Sequence, residues 1–275
     1  MTGLVASWLP GLVALLIAGL LAGFAAGLFG IGGGFVVVPA LIALLPVLGG
    51  DAGEYAHVAI GTSLATIVFT SLRSVQAHAR HGAVDFDILK SWAPWIVLGV
   101  GAGILLARII DGRGLTLIFA AGVFVMAIHF IAPWLGNRPM SDRMPTGVMR
   151  ASIAGGLGTF SSLLGIGGGT IAVVVMTLCG RSIHRAIATA AGLGFVIAVP
   201  GTIGFAIIGL GVPDLPMGSL GYVNVPGAAI IACTSMLTAP LGAAAAHSLP
   251  AAPLKRVFGL YLLFVSVIMF RNAWF

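Results

Sequence analysis

The sequence predicts an all-α integral membrane protein made of two inverted repeats of about five helical segments each, with broken or re-entrant short helices at Gly-rich motifs. Three observations support this fold class. Hydrophobic residues make up 59% of the chain and charged residues only 7%, against about 25% charged in soluble domains. The mean hydropathy is +1.15. The pentapeptide Gly-Ile-Gly-Gly-Gly occurs twice, at 30–34 and 165–169.

Charge-free stretches fill most of the chain. No Asp, Glu, Lys or Arg occurs within 1–50, 151–180, 186–213 or 215–246. A membrane span needs about 20 apolar residues, so these stretches predict many spans and leave no room for a folded aqueous domain. Residues 1–8 have no basic segment, which favours a first span over a cleaved signal peptide. Cys179 and Cys233 lie in apolar runs and are expected to be buried apolar residues rather than a disulfide framework.

Each repeat is predicted to contain five segments, of which the second is too short to cross a bilayer alone. The first repeat, 1–136, has segments at about 9–29, 34–46, 57–77, 91–108 and 115–135. The second repeat, 148–275, has segments at about 149–165, 169–180, 186–210, 223–247 and 256–272. The polar, proline-containing stretch 137–147 is predicted to be a cytoplasmic linker between them.

The correspondence between the halves extends beyond the glycine runs. His57–Thr62 resembles His184–Thr189, and Gly103 and Phe119 match Gly242 and Phe258. This order, with small changes of offset, is typical of a duplicated unit whose loops differ in length. Five segments is an odd number, so the second unit is expected to lie inverted relative to the first.

The distribution of basic residues predicts the orientation. With both termini extracytoplasmic, ten Lys and Arg residues fall on the cytoplasmic side and three on the other, as the positive-inside rule requires of an inner-membrane protein. The net charge of +6 is therefore a loop property, and no nucleic-acid partner is expected. The ten are Arg73, Arg80, Lys90, Arg138, Arg143, Arg150, Arg181, Arg185, Lys255 and Arg256.

The glycine runs are the candidate substrate site. A helix is predicted to start after each run, and a helix N-terminus offers free N–H groups and a partial positive charge that favour an anion. Two such ends from inverted halves could meet at one central site. Close helix packing is the alternative explanation for glycines at these places. The candidate residues are Gly30, Gly32, Gly33, Gly34, Gly165, Gly167, Gly168 and Gly169.

Several polar residues near the runs are further candidates. The hydroxyls of Thr62, Ser63, Thr170 and Thr189 could donate to an oxyanion, or could bond to a carbonyl of their own helix. Ser161 and Ser162 are weaker candidates of the same kind. Arg73 lies deep in the third segment and either contributes to the site or extends to the cytoplasmic surface. His57 and His184 are expected to have structural roles at helix starts, and His78 and His81 to lie in a loop.

The sequence offers no catalytic, metal or cofactor motif. No His-Glu-x-x-His or similar metal spacing occurs, and no segment has the series of carboxylates typical of sodium or proton coupling. An enzyme is therefore not expected.

The stretch Gly27-Leu28-Phe29-Gly30-Ile31-Gly32-Gly33-Gly34, followed by Pro39, resembles the signature of the TauE/SafE family of sulfite exporter-like membrane proteins. Gly61-Thr62-Ser63-Leu64, the His78–Asp85 stretch and Leu164–Gly169 resemble it too. The resemblance implies an inner-membrane transporter of sulfite, sulfoacetate or other organosulfur anions. The second half departs from the pattern, with Val174 in place of the proline and Ala190 in place of the serine, so unequal contributions are expected.

The predicted function is transport of a small sulfur-containing anion out of the cell by alternating access, without a cofactor. The alternatives are a carrier for a neutral or other small organic solute, or an anion channel, with the glycines serving helix packing. Membrane lipid and a second copy of the chain are the other expected partners.

Overall fold

The computed structural model describes residues 2–132, 141, 143–248 and 251–274, and within them the chain forms ten α-helices. Their bounds are α1 Thr2–Phe29, α2 Gly34–Leu44, α3 Tyr55–Ala79, α4 Phe86–Ile109, α5 Gly112–Ile131, α6 Gly147–Leu164, α7 Gly169–Leu178, α8 Ile183–Ile208, α9 Val225–Ser248 and α10 Ala251–Trp274. Short 3₁₀ helices cover Leu45–Leu48 and Ala52–Glu54, and the strands β1 Ser219–Leu220 and β2 Val223–Asn224 form a small hairpin.

Each of the ten predicted segments overlaps one helix, so the all-α membrane fold class is confirmed. Within the described ranges, seven helices are long and apolar enough to cross a membrane: α1, α3, α4, α5, α8, α9 and α10. The short helices α2 and α7 have 11 and 10 residues. At 1.5 Å per residue each extends about 15 Å, half of the roughly 30 Å hydrocarbon core. The chain is therefore a multi-pass membrane protein with two helices that reach only part of the way across.

Glycines allow the two long lateral helix pairs to pack closely. On α1, Gly19, Gly23 and Gly27 lie against the backbone of α9, and a Cβ at any of them would collide with a main-chain oxygen. Glycines also allow α4 and α6 to pack closely: Gly99 lies against the Gly155 carbonyl, and Gly158 lies against α4. Small residues four apart are the usual means of close approach between membrane helices, since lipid provides no hydrophobic driving force between them.

The centre of the molecule is the pair α3–α8, and α5 packs along α10 on the outside of it. The short helix α2 packs on α3 and α1, and α7 packs on α8. Each first helix of a predicted repeat thus packs on the fourth helix of the other, as in α1–α9 and α6–α4. Third helices pair with each other, and so do fifth helices. This exchange is what two copies of one unit would give, while inversion across the membrane and the division into two repeats stay predictions.

Large apolar side chains point outward from the long helices. Ile109 is 78% exposed and Leu237 is 70% exposed, with Leu98, Leu105 and Phe264 similarly open. In a membrane protein such side chains face lipid rather than water. Part of the predicted linker, 137–140 and 142, lies outside the described residues.

One sequence expectation about the end of α3 was wrong. His78 was expected in a loop, but α3 continues to Ala79 and buries the His78 ring, whose Nε2 lies 3.1 Å from the Gly27 carbonyl oxygen of α1. The helix is extended because its last turn still packs against neighbouring helices.

Candidate functional site

The two glycine runs meet in the interior of the molecule. The Gly167 amide donates to the Ile31 carbonyl at 3.2 Å, and the Gly30 carbonyl oxygen lies against Gly169. Reciprocally, the Gly165 carbonyl oxygen lies against Gly34. Every residue of 30–34 and 165–169 is buried. We call this place the glycine crossing.

A helix starts at the end of each run, as predicted. Gly33 precedes α2 with φ 86°, and Gly168 precedes α7 with φ 65°, conformations that favour glycine. Neither residue can cap the helix with a side chain, and no side-chain cap is present at either helix start. The first amides of α2 and α7 therefore point into the protein interior without intrahelical partners.

Each glycine of the two runs has close neighbours. A Cβ at Gly33 would lie 2.7 Å from the Ala22 carbonyl oxygen, and one at Gly30 would lie 2.6 Å from the Ile187 carbonyl oxygen. At Gly32 and Gly167 the nearest atoms would be at 3.0 and 3.1 Å. Packing alone thus requires glycine here, so an alanine substitution in a run cannot separate a binding role from a packing role.

The hydroxyls of Thr62 and Thr189 join the two halves of the chain. Thr62 Oγ1, in α3, accepts the Asn224 amide at 2.8 Å, and Thr189 Oγ1, in α8, accepts the Asp85 amide at 2.9 Å. Asn224 and Asp85 cap corresponding helices, because their side chains accept the Gly227 amide of α9 and the Ile88 amide of α4. We call these the Thr62 contact and the Thr189 contact.

The partners in these contacts, Asn224 and Asp85, were not predicted from the sequence. Gly82-Ala83-Val84-Asp85 and Gly221-Tyr222-Val223-Asn224 share the pattern Gly-x-Val-Asp/Asn, at an offset of 139 (224 minus 85), the offset of Gly103 and Gly242. Gly82 and Gly221 both have positive φ, 63° and 54°. The repeated pattern was the available signal, hidden by being short and lying between helices.

Three buried hydroxyls near the glycine crossing have no hydrogen-bond partner among the described residues: those of Ser161, Thr170 and Ser71. Ser161 Oγ lies 2.7 Å from where a Cβ on Gly168 would be. Thr170 is in the first turn of α7. Ser71 Oγ lies 2.8 Å from the Cβ position of Gly194, which itself contacts Gly167. Unpartnered hydroxyls of this kind are rare in protein interiors.

Two of these hydroxyls, those of Ser161 and Thr170, have no counterpart in the first half of the chain. At the 135-residue offset of the glycine runs, Ser161 and Thr170 correspond to Ala26 and Phe35. The N-terminus of α7 therefore has hydroxyl groups beside it, whereas the matching positions near α2 are apolar. Ser162, the other weaker candidate, bonds to the Thr159 carbonyl of its own helix at 3.0 Å.

Two other predicted residues have different positions. Ser63 is fully buried at the crossing, where its hydroxyl donates to the Gly165 carbonyl at 2.7 Å. Arg73 is exposed and donates to Gln76 Oε1 at 3.4 Å, so the structure does not bring it to the crossing.

A metal site and an apolar cleft are the other kinds of site to consider. Among the described residues no three His, Cys, Asp or Glu side chains are grouped to hold a metal ion. An apolar cleft of about 270 Å³ opens between α1, α2 and α9, lined by residues such as Leu12, Leu41 and Ile230. Of the described residues, Asn224 is the one with a polar side chain that lines it, and that side chain is already hydrogen-bonded to Met217, Ser219 and Gly227.

Comparison with known proteins agrees with this architecture. Residues 15–269 match the family model described as sulfite exporter TauE/SafE. A probable membrane transporter protein of Haemophilus influenzae is 36% identical over 248 residues, 88% of this chain and 92% of that protein. Another, of Methanocaldococcus jannaschii, is 26% identical, covering 78% of this chain and 79% of that protein. No solved structure matches. The chain belongs to the TauE/SafE family of membrane transporters.

Proposed function

We propose that the protein moves a small sulfur-containing anion, sulfite or an organosulfonate such as sulfoacetate, across the inner membrane. The observation that favours this substrate class is the group of unpartnered buried hydroxyls, Ser161, Thr170 and Ser71, beside the amides that start α7. Hydroxyl and amide donors at a helix N-terminus suit the oxygens of an anion without a cationic side chain. The family description, sulfite exporter, supports the same class.

Alternating access is the mechanism that the contacts between the repeats favour. The Thr62 contact lies near the start of α3 and the Thr189 contact near the start of α8, on the two predicted sides of the membrane. The glycine crossing lies between them. A carrier that opens one contact while the other stays closed would expose the crossing to each side in turn. Both contacts are closed in this structure, which fits an occluded state.

Export is the direction of transport that needs no coupling ion. The cell interior is negative, and this potential favours the exit of an anion by about 2.3 kcal/mol per charge for each 100 mV. The predicted orientation, with both termini extracytoplasmic, follows from the basic residues of the loops.

A carrier for a neutral solute is the second candidate, and one observation favours it. All eight candidate glycines are explained by close packing, because each would bring a Cβ within 3.1 Å of a neighbouring atom. On this alternative the glycines have no ligand, and the three hydroxyls would bind an uncharged polar solute instead.

Thermal unfolding of the detergent-purified protein separates the candidates. The panel is sulfite, sulfate, thiosulfate, sulfoacetate, taurine and chloride. An anion bound only to the folded state at one hundred times its Kd adds about 2.7 kcal/mol of stability. A selective rise with one sulfur anion supports the proposal. No rise with any anion, in folded protein, overturns it in favour of the neutral solute.

The Ser161→Ala variant locates the site. Its hydroxyl makes no hydrogen bond, so without anion the variant should be as stable as the wild type or slightly more so. If the hydroxyl binds the anion, Kd should rise about 10- to 100-fold, the loss of one hydrogen bond to a charged group. Ser266→Ala is the matched control, a buried serine that bonds only to the Leu263 carbonyl of its own helix at 2.8 Å. An unchanged anion affinity in Ser161→Ala would place the site elsewhere.

A further inference from the structure

A carboxylate, an imidazole and a phenol meet at the start of α3. His57 Nδ1 lies 3.3 Å from Glu54 Oε2, and the His57 ring stacks on Tyr222 with centroids 4.7 Å apart. The His57 side chain is 5% exposed and that of Glu54 is 26% exposed. The pair is therefore mostly buried, and Glu54 Oε2 and His57 Nδ1 are themselves buried atoms with no hydrogen-bond partner among the described residues.

The other ring nitrogen of His57 must carry a hydrogen. Nε2 lies 3.1 Å from the Ala107 carbonyl oxygen and 3.1 Å from the Ile110 carbonyl oxygen. A carbonyl oxygen only accepts, so Nε2 is the donor to both. Ala107 is in the last turn of α4 and Ile110 is its C-cap residue, so the helix dipole also favours a positive charge on the ring.

Because one ring hydrogen is on Nε2, the contact between Nδ1 and the Glu54 carboxylate requires a second hydrogen. In the neutral ring with hydrogen on Nε2, Nδ1 has only a lone pair, and an ionised Glu54 would present another lone pair to it at 3.3 Å. The contact is attractive only when one proton lies between the two atoms, on Nδ1 or on Oε2. The geometry thus describes a site for a single proton shared by two side chains.

Among the described residues, no other charged group on the neighbouring elements replaces that proton. Asp51 and Asp111 are exposed and accept the backbone amides of Gly53 and Gly114. Arg108 and Arg113 are exposed as well. Burial, followed by the hydrogen bond and charge of Glu54, raises the pKa of the Tyr222 phenol, so the phenol stays neutral and donates to Glu54. The second repeat has Arg181 at the place of Glu54, so only one half can form this pair.

The proton site is connected to the Thr62 contact through the hairpin 219–224. The ring of Tyr222 covers His57, the Tyr222 carbonyl lies against Gly61, and the Asn224 amide donates to Thr62. We propose that Glu54 and His57 together bind one proton and that this proton keeps the 219–224 hairpin docked on α3. When the pH rises, the proton dissociates, the two lone pairs repel, and the hairpin separates from α3.

The coupling of this event to transport rests on the proposed function. The hairpin forms one of the two contacts between the repeats, so proton occupancy would set how readily the glycine crossing opens at that end. The proton site itself is independent of which solute is carried, and it can be tested without any solute.

The experiment measures how fast a buried thiol in the hairpin is labelled. Val223, 7% exposed, is replaced by cysteine in a full-length protein whose Cys179 and Cys233 are changed to alanine. Labelling by a water-soluble thiol reagent is followed from about pH 6 to about pH 9, a range that spans ordinary histidine titration. The same reporter in a Glu54→Gln protein is the reference, and its thiol ionises in the same way. In that variant the glutamine amide donates to Nδ1 at every pH, so the hairpin stays docked.

The ratio of the two labelling rates, Glu54 protein over Glu54→Gln protein, should rise with pH by up to about tenfold per unit once the proton dissociates. Asp51→Asn, a neighbouring exposed carboxylate, should leave this rise unchanged. If Glu54→Gln does not fold, His57→Gln serves instead, because it removes the imidazole of the proposed proton site and should also give pH-independent docking. A ratio that stays constant with pH overturns the proposal.

Discussion

Replacing Thr62 or Thr189 by valine should open opposite ends of the molecule. Thr62→Val keeps the shape of the side chain but leaves the Asn224 amide without an acceptor. Asn224 is fully buried, so the Thr62 contact should be destabilised by about 1–3 kcal/mol. Asp85 is only half-buried and water can replace the lost acceptor, so Thr189→Val should cost about 0.5–1.5 kcal/mol.

Two matched reporters distinguish the ends. Val223 and Val84 occupy corresponding positions beside the two contacts and are 7% and 8% exposed. With cysteine at 223, Thr62→Val should speed labelling about 5- to 100-fold. With cysteine at 84, Thr189→Val should speed labelling about 2- to 10-fold. In an alternating mechanism each variant should leave the other reporter unchanged or slower.

The control is Thr116→Val, a buried threonine whose hydroxyl bonds only to the Gly112 carbonyl of its own helix at 2.8 Å. It should affect neither reporter, and Thr62→Ser should restore slow labelling at 223. Equal acceleration of both reporters by Thr62→Val would mean general loss of structure. No acceleration at either would mean that the contact does not hold the repeats together. Either result refutes the reasoning.

Three smaller predictions follow from packing and ionisation. Gly169→Ala should abolish folded protein because its Cβ would meet the Gly30 carbonyl, whereas Gly156→Ala, on an open helix surface, should keep or raise the thermal midpoint, with a gain of up to about 1 kcal/mol; size-exclusion and unfolding profiles decide. Ser71→Ala should leave the substrate-free unfolding midpoint within error, since the hydroxyl has no partner to lose, and a marked fall would reveal one. The wild-type minus Tyr222→Phe absorbance difference should show no phenolate at about pH 10, where ordinary tyrosines titrate, and phenolate there would contradict burial of the phenol beside Glu54.

The helices could be predicted from sequence because their signal is local. Charge-free length and glycine runs define where a membrane helix can start and end, and α2 and α7 begin at the residue that closes each run. The start of α3 at Tyr55 and its end at Ala79 differ by two residues from the predicted 57–77. Such edges depend on packing against neighbours rather than on the segment itself.

Hydroxyl partners could not be predicted because they depend on the register between distant helices. Thr62 and Thr189 were candidate ligands on local grounds, and nothing local indicates that Asn224 and Asp85 would bond to them across the molecule. Ser161 was ranked below them, although its isolation beside Gly168 is a result of how α6 and α7 pack. The roles of all these residues in binding stay predictions.

The third helices of the two halves share a backbone arrangement but differ in chemistry along their buried length. Thr62 of α3 has a buried hydroxyl counterpart in Thr189 of α8, and the other buried hydroxyl residues of α3 are Ser63, Thr66, Thr70, Ser71 and Ser74. At the 127-residue offset, α8 has Ala190, Leu193, Ile197, Ala198 and Gly201. Beyond the Thr62 and Thr189 positions, side-chain hydroxyls that can hydrogen-bond water therefore continue along α3, whereas the corresponding positions of α8 are apolar. A charged solute that moves beside both helices would lose its hydration water gradually in one half and abruptly in the other. The free-energy barriers in the two halves of the transport path would then be unequal, although the backbone arrangement is similar.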